Sequence, residues 1–301
     1  MQNLKIALDW TLNTNHLPFI IAQDQGFYKD QNIDIEFITP DQDNYKITPA
    51  KKVELGQAHL ALCPLESVLS YQTKSTPFPL IAIAALFNQD LSAIACKKEV
   101  IQRPRDLDGK SYASYDARYE DAIVRQMIKN DGGHGTVRIV FPDKLGIWDT
   151  IMNDVADSTW IFTNWEALEA EEKGVELEMF RMKDYDIPYS YSPIIAANQK
   201  HATENKELYQ NFLEATARAA EFAKKNPAQA AEILSNYVPE NTDFNLRKSV
   251  DVTNDAVPEP GQWGKIDGGN VNRFLNWLSE HGLNISEIDS TRLFTNEFLS
   301  Q

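Results

Sequence analysis

Leu4-Lys5-Ile6-Ala7-Leu8-Asp9-Trp10-Thr11-Leu12-Asn13-Thr14-Asn15-His16-Leu17 reads as a strand that runs through a polar turn into a helix. The apolar run over 4–9 is of strand length. The following 17–29 stretch has Asn15 as its expected cap, Pro18 in the tolerated first turn and Gly26 as its stop. A second apolar run at 33–38 turns this into a strand–helix–strand unit. Further runs at 59–63, 79–86, 91–97, 110–114, 137–141, 158–162 and 193–198 continue the alternation, with a helix expected over 116–130. The pattern predicts an α/β chain built on a largely parallel sheet.

Beyond residue 200 the periodicity is helical. Leu208, Phe212, Ala215, Ala219 and Phe222 keep spacings of four and three, Asn226-Pro227 opens a new helix, and Phe274, Trp277 and Leu278 mark a last one ending near Gly282. The 301 residues are long for one core and sufficient for two. No Gly/Ser linker separates them, so the chain is expected to cross between two lobes twice. The crossings fall near 88–92 and 188–195, putting 1–90 with 195–301 in one lobe and 91–194 in the other.

The net charge of −15 disfavours nucleic acid and anionic membrane surfaces, both of which need clustered Lys and Arg. Cys63 and Cys96 lie in separate apolar runs and are expected to be buried free thiols. Neither they nor the histidines have metal-site spacing, so neither a metal nor a cofactor is expected. His59, His201 and His281 read as isolated structural or surface groups, and Asp131-Gly-Gly-His134-Gly as a turn. Hydrolase-triad, Walker and zinc-protease motifs do not occur.

The turn after the first strand concentrates chemistry. Asp9, Trp10, Asn13, Asn15 and His16 bring a carboxylate, a ring, two amides and an imidazole to the carboxyl end of a strand, where open α/β sheets bind ligands. A planar heterocycle needs an aromatic face to stack on and Asn or Asp groups to read its edge. Three later strand-to-helix junctions add candidates. Glu66 and Ser67 follow the third strand. Tyr115 and Tyr119 crowd the 114–119 turn, where Arg118 alone could admit a phosphate. Asn164, Trp165 and Glu166 follow the strand at 158–162, whose Trp160 and Phe162 read as core. Tyr45, Tyr189 and Tyr191 complete the expected ligand-binding set. The acidic stretch 169–178 reads as a solvated helix face.

Asp9-Trp10-Thr11-Leu12-Asn13-Thr14-Asn15-His16, with Ile21-Ala22-Gln23-Asp24-Gln25-Gly26-Phe27-Tyr28 and Gly56-Gln57-Ala58-His59-Leu60-Ala61-Leu62-Cys63-Pro64-Leu65-Glu66-Ser67, resembles the thiamine-pyrimidine family. That family includes substrate-binding subunits of bacterial pyrimidine importers and the fungal hydroxymethylpyrimidine phosphate synthase. The resemblance spans about residues 4–240. It implies a two-lobed periplasmic-binding-protein fold of the second topological type, with the ligand in a cleft between the lobes. The synthase carries a pyridoxal-phosphate lysine and a consumed histidine where this chain has Cys63 and Glu66. Its cysteine-rich, iron-linked motif aligns roughly with Pro188-Tyr189-Ser190-Tyr191-Ser192, which lacks a thiol. Cysteine cannot form the internal aldimine and glutamate has no imidazole.

The expectation is therefore a receptor for an aminopyrimidine thiamine precursor, with an ABC permease as a further partner. The alternatives are a synthase-like cytosolic enzyme using other residues, and a soluble sensor or carrier. Strand-like sequence begins almost at Met1, so the expected compartment is cytoplasmic if Met1 is the native start. It is periplasmic or cell-surface if the chain is a trimmed mature form.

Overall fold

The computed structural model describes residues 1–142, 145–189, 191–283 and 288–300. Ten strands run in chain order: β1 Gln2–Ala7, β2 Ile33–Ile38, β3 Leu60–Cys63, β4 Leu80–Ala85, β5 Ser92–Lys97, β6 Ser111–Ala113, β7 Arg138–Val140, β8 Ser158–Phe162, β9 Leu177–Phe180 and β10 Ile194–Asn198. The helices of the first half are α1 Leu17–Asp24, α2 Phe27–Asp30, α3 Pro49–Glu54, α4 Leu65–Thr73, α5 Glu120–Asn130 and α6 Glu166–Glu172. Those of the second half are α7 Gln199–Glu204, α8 Lys206–Lys225, α9 Pro227–Ser235, α10 Leu246–Ala256 and α11 Gly268–Glu280.

The chain divides into two compact units. The first comprises Met1–Asp90, Ser190–Asn272 and Ile285–Gln301; the second comprises Leu91–Tyr189 and Arg273–Asn284. The tract expected to belong wholly to the first unit thus gives residues 273–284 to the second. Phe274 explains this, because its ring meets that of Tyr189 edge-on at 5.5 Å. The first unit also takes up the chain before residue 195, where Tyr191 accepts from Leu65 through its carbonyl.

The first unit's sheet has the order β2-β1-β3-β10-β4 and the second's β7-β6-β8-β5-β9. In the first, β1 is parallel to β2 and β3, while β10 is antiparallel to β3 and β4. In the second, β6 is parallel to β7 and β8, while β5 is antiparallel to β8 and β9. Both sheets are therefore mixed, which corrects the largely parallel expectation. The reason is that β10 and β5 are buried along nearly their whole length. Such a run looks the same in either direction.

β9 was not expected. Leu177-Glu178-Met179-Phe180 extends an acidic composition that reads as helix, yet only α6 is helical there, and β9 pairs with β5 alone. Charged, partly exposed residues suit such an edge strand. The expected 17–29 helix is broken at Gly26, whose φ of +74° lies in the left-handed region, into α1 and α2. The 116–130 helix starts only at Glu120, after Asp116 takes a φ of +60°.

Against the first sheet, α1 and α2 pack on α8. Phe212 stacks between Phe19 at 6.2 Å and Tyr28 at 5.5 Å, and the Tyr28 hydroxyl bonds Thr216 at 2.8 Å. All three rings are fully buried, each worth about 1.5–3 kcal/mol of transfer free energy. This packing holds the α1 end of the β1 turn. Both cysteines are free and buried. No helix among the described residues is long and apolar enough to cross a membrane.

Candidate functional site

The turn after β1 is held from inside. Asn15 does not cap α1, whose N-cap is His16 without a side-chain bond; Asn13 caps the preceding 3-10 turn, its Oδ1 accepting from Asn15 N at 2.8 Å and its Nδ2 donating to the Thr11 carbonyl at 3.1 Å. That 3-10 turn spans Thr14–His16, and Thr14 Oγ1 bonds Ser249 Oγ of α10 at 2.8 Å. Asn13 and Asn15, expected at the ligand, are 3% and 1% exposed. Their amides build the turn or its surroundings and offer little surface to a ligand.

His16 is likewise buried. Its Nδ1 accepts the Asn13 backbone N–H at 3.1 Å, so Nε2 carries the proton and donates to Asp9 Oδ1 at 2.9 Å. Asp9 keeps a side-chain exposure of 20%, against none for His16. Beside it, Trp10 meets Tyr45 with ring centroids 5.4 Å apart and planes tilted by 52°. Tyr45 is 48% exposed and has a φ of +61°. The β1 end therefore presents one carboxylate and one aromatic pair.

The end of β3 adds Cys63, then Glu66 and Ser67 in the first turn of α4. Glu66 is buried, and a carboxylate at a helix N-terminus is favoured by the dipole. Burial pushes the Cys63 thiol well above its ordinary range, and the nearby Asp9 and Glu66 carboxylates add to this, while a Ser67 hydrogen bond opposes it. Cys63 is thus a protonated thiol and a poor nucleophile. These charges place Asp9, Cys63 and Glu66 in one neighbourhood. Tyr191 is engaged elsewhere: its hydroxyl accepts from Asp267 N at 2.9 Å and Asn270 Nδ2 at 3.1 Å, tethering the start of α11.

In the second unit the turn after β6 is organised around Glu120, which the sequence reading passed over. Its buried carboxylate accepts from Tyr112 OH at 2.6 Å, from Tyr115 N at 3.0 Å and from Ala117 N at 3.3 Å. Burial pushes its pKa up to about 6, against the opposing pull of these donors. An acid in the first turn ahead of the Ile123–Val124–Met127–Ile128 face was the available signal. Tyr115 remains 38% exposed, whereas Tyr119 is 2% exposed, with the Arg118 guanidinium 5.1 Å from its ring centre. Arg118, the one group of this turn that could admit a phosphate, thus lies over a ring.

After β8, Asn164 and Trp165 are buried and Glu166 Oε2 accepts from Phe162 N at 3.0 Å, closing the turn into α6. Trp160 and Phe162, expected in the core, are only partly buried. Ile161 between them is the core residue, because successive strand residues face opposite ways. Trp160 instead meets Tyr189 edge-on at 5.2 Å.

His59 and His201 are not isolated. Their rings lie 5.4 Å apart, His59 Nδ1 accepts from Lys5 N, and His201 Nδ1 bonds the Tyr209 hydroxyl. His281 stacks on Trp277 at 4.5 Å. A pocket of about 150 Å³ lined by Lys97, Ser111, Asp154 and Asp157 lies at the amino ends of β6 and β8, opposite the turns described above. Among the described residues no group of three or more His, Cys, Asp or Glu could hold a metal ion.

Comparison with known proteins agrees with this architecture. A Candida albicans gene product described as having the generic periplasmic binding protein structural fold superposes with a TM-score of 0.71 at 16% identity, covering 100% of this chain and 96% of the other. The formylaminopyrimidine-binding protein of Halalkalibacterium halodurans is 20% identical over 93% of this chain and 86% of its own length. The 4-amino-5-hydroxymethyl-2-methylpyrimidine phosphate synthase of Legionella pneumophila is 24% identical over 98% and 91%. The fold is that of the α/β periplasmic-binding proteins, and residues 13–230 match the family described as NMT1/THI5 like. The chain belongs to the NMT1/THI5-like family.

Proposed function

We propose that this chain binds an aminopyrimidine thiamine precursor without turning it over, and hands it to an ABC-type permease. The observation that carries the reading is the β1 turn, where the part-exposed Asp9 immediately precedes Trp10, whose ring meets that of Tyr45. The rings offer a stacking face, and the carboxylate accepts from an exocyclic amino group or a protonated ring nitrogen. Relatives named as a formylaminopyrimidine-binding protein and a pyrimidine phosphate synthase support the ligand class. Against turnover stand Cys63 and Glu66, at the places where the resembling synthase carries its lysine and histidine.

Mass spectrometry of the small molecules released when the purified protein is denatured tests the ligand class. The expected result is an intact aminopyrimidine. Incubation with pyridoxal phosphate and borohydride is expected to leave every lysine of the site region unmodified. A trapped lysine adduct there, with pyrimidine appearing over time, overturns the receptor reading in favour of the synthase-like one. Fractionation of the native host tests the import half: the protein is expected outside the cytoplasmic membrane, and retention in the cytoplasm overturns delivery to a permease.

A further inference from the structure

We infer that His16 is a positioning residue: it never touches the ligand, and it sets ligand preference by orienting the Asp9 carboxylate. The inference rests on the pyrimidine-binding reading and deepens it. His16 has no exposed side-chain surface, so a ligand cannot reach it. Its two ring nitrogens have separate duties. Nδ1 accepts from Asn13 N at 3.1 Å, which leaves the proton of the neutral ring on Nε2. That N–H donates to Asp9 Oδ1 at 2.9 Å. No described residue donates to the second Asp9 oxygen, and the carboxylate is the member of the pair that retains exposure.

The turn resists displacement of this pair. Asn13 caps it, Thr14 is bonded to Ser249 of α10, and Leu17 begins α1 immediately after His16. A carboxylate held by one oxygen loses little further freedom when the other accepts from a ligand N–H. The ligand chemistry that benefits is a heterocycle with an amino group or protonated nitrogen on the edge facing Asp9. An analogue with only acceptors on that edge leaves the carboxylate unpaired, which is the costlier error.

Two conservative variants separate positioning from mere support. The His16→Gln amide reaches the place of Nε2, so it keeps the donor to Asp9 and loses the acceptor for Asn13. The His16→Asn amide sits at the place of Nδ1, so its oxygen can accept from Asn13 while the donor to Asp9 is gone. Calorimetric titration would use 4-amino-5-hydroxymethyl-2-methylpyrimidine and its analogue lacking the 4-amino group. Wild type is expected to prefer the amino compound by at least about tenfold, the size of a hydrogen bond to a charged group.

His16→Gln is expected to keep most of that preference despite some loss of thermal stability. His16→Asn is expected to fold and lose most of it, and Asp9→Asn/His16→Asn is expected to bind no more weakly than Asp9→Asn alone. Preference retained in His16→Asn, or losses that add in the double variant, overturn the positioning role and leave His16 a structural residue. Failure of wild type to bind either compound overturns the pyrimidine reading itself, and with it this inference.

Discussion

In the first unit β1 runs into a turn whose buried group is a histidine and whose exposed group is a carboxylate. In the second, β6 occupies the same place in an equivalent strand order, but there the carboxylate of Glu120 is buried and the tyrosine Tyr115 is exposed. One turn spends its internal hydrogen bonds on presenting an acid outward. The other uses an acid inward to shape an aromatic surface. The helices after β3 and β8 show the reverse, the first-unit acid being buried and the second-unit acid only partly so. Glu66 is buried beside Cys63, whereas Glu166 is committed to the Phe162 backbone N–H. Similar frames therefore leave a part-exposed carboxylate at the β1 turn and an exposed tyrosine at the β6 turn.

The largest effect expected from breaking this contrast is on Glu120. Glu120→Ala strands three donors in a buried turn and is expected to destabilise the protein by about 2–4 kcal/mol in denaturant titration. Asp9→Asn should change stability by less than about 1 kcal/mol while weakening aminopyrimidine binding. Comparable stability losses at both positions would erase the distinction.

Next comes the pH dependence of the same acid. The folded-state pKa of Glu120 is raised to about 6, so the folded protein holds that proton more tightly than the unfolded chain. Stability from this group is greatest below the ordinary value and falls as pH rises through 6, by about 2 kcal/mol in all. Thermal melts between pH 4 and 7 of wild type and Glu120→Gln should differ by this slope. The half-buried His59 acts in the opposite sense. Burial, together with the His201 and Lys5 charges, lowers its pKa, so its contribution is full above the ordinary value and is lost as pH drops. A His59→Gln background would isolate the Glu120 slope; a slope absent there as well would mean Glu120 ionises at its ordinary pH.

Trp10→Ala should lower affinity at least about tenfold, ~1.4 kcal/mol, with the fold intact. An unchanged affinity would return Trp10 to a purely structural role. The smallest effects are at the two glutamates. Glu66 is only 5% exposed, so Glu66→Gln should act through its surroundings and change the affinities of the amino compound and its des-amino analogue equally. Glu166→Gln should leave both affinities within about threefold, because Gln keeps the oxygen that accepts from Phe162 N.

The strands were legible because nine short apolar runs coincide with nine of the ten, and the strand–turn–helix junctions located the turns. Direction was not legible, since β5 and β10 are buried along nearly their whole length. Nor was β9, whose acidic edge composition imitates the end of α6. At the site, residue types were visible but their division of labour was not. Asn13, Asn15 and His16 have the chemistry of ligand contacts, and only burial shows that they support the turn. Glu120 escaped notice because an acid in a first helical turn is ordinary, and its two backbone donors, Tyr115 N and Ala117 N, flank Asp116, whose positive φ the sequence does not display.

The central claim is tested most directly by calorimetric titration of the purified protein with 4-amino-5-hydroxymethyl-2-methylpyrimidine, run in parallel on Asp9→Asn. The account predicts saturable binding of about one ligand per chain, weakened at least about tenfold by the substitution. No binding to wild type, or equal affinity in the two proteins, would contradict it.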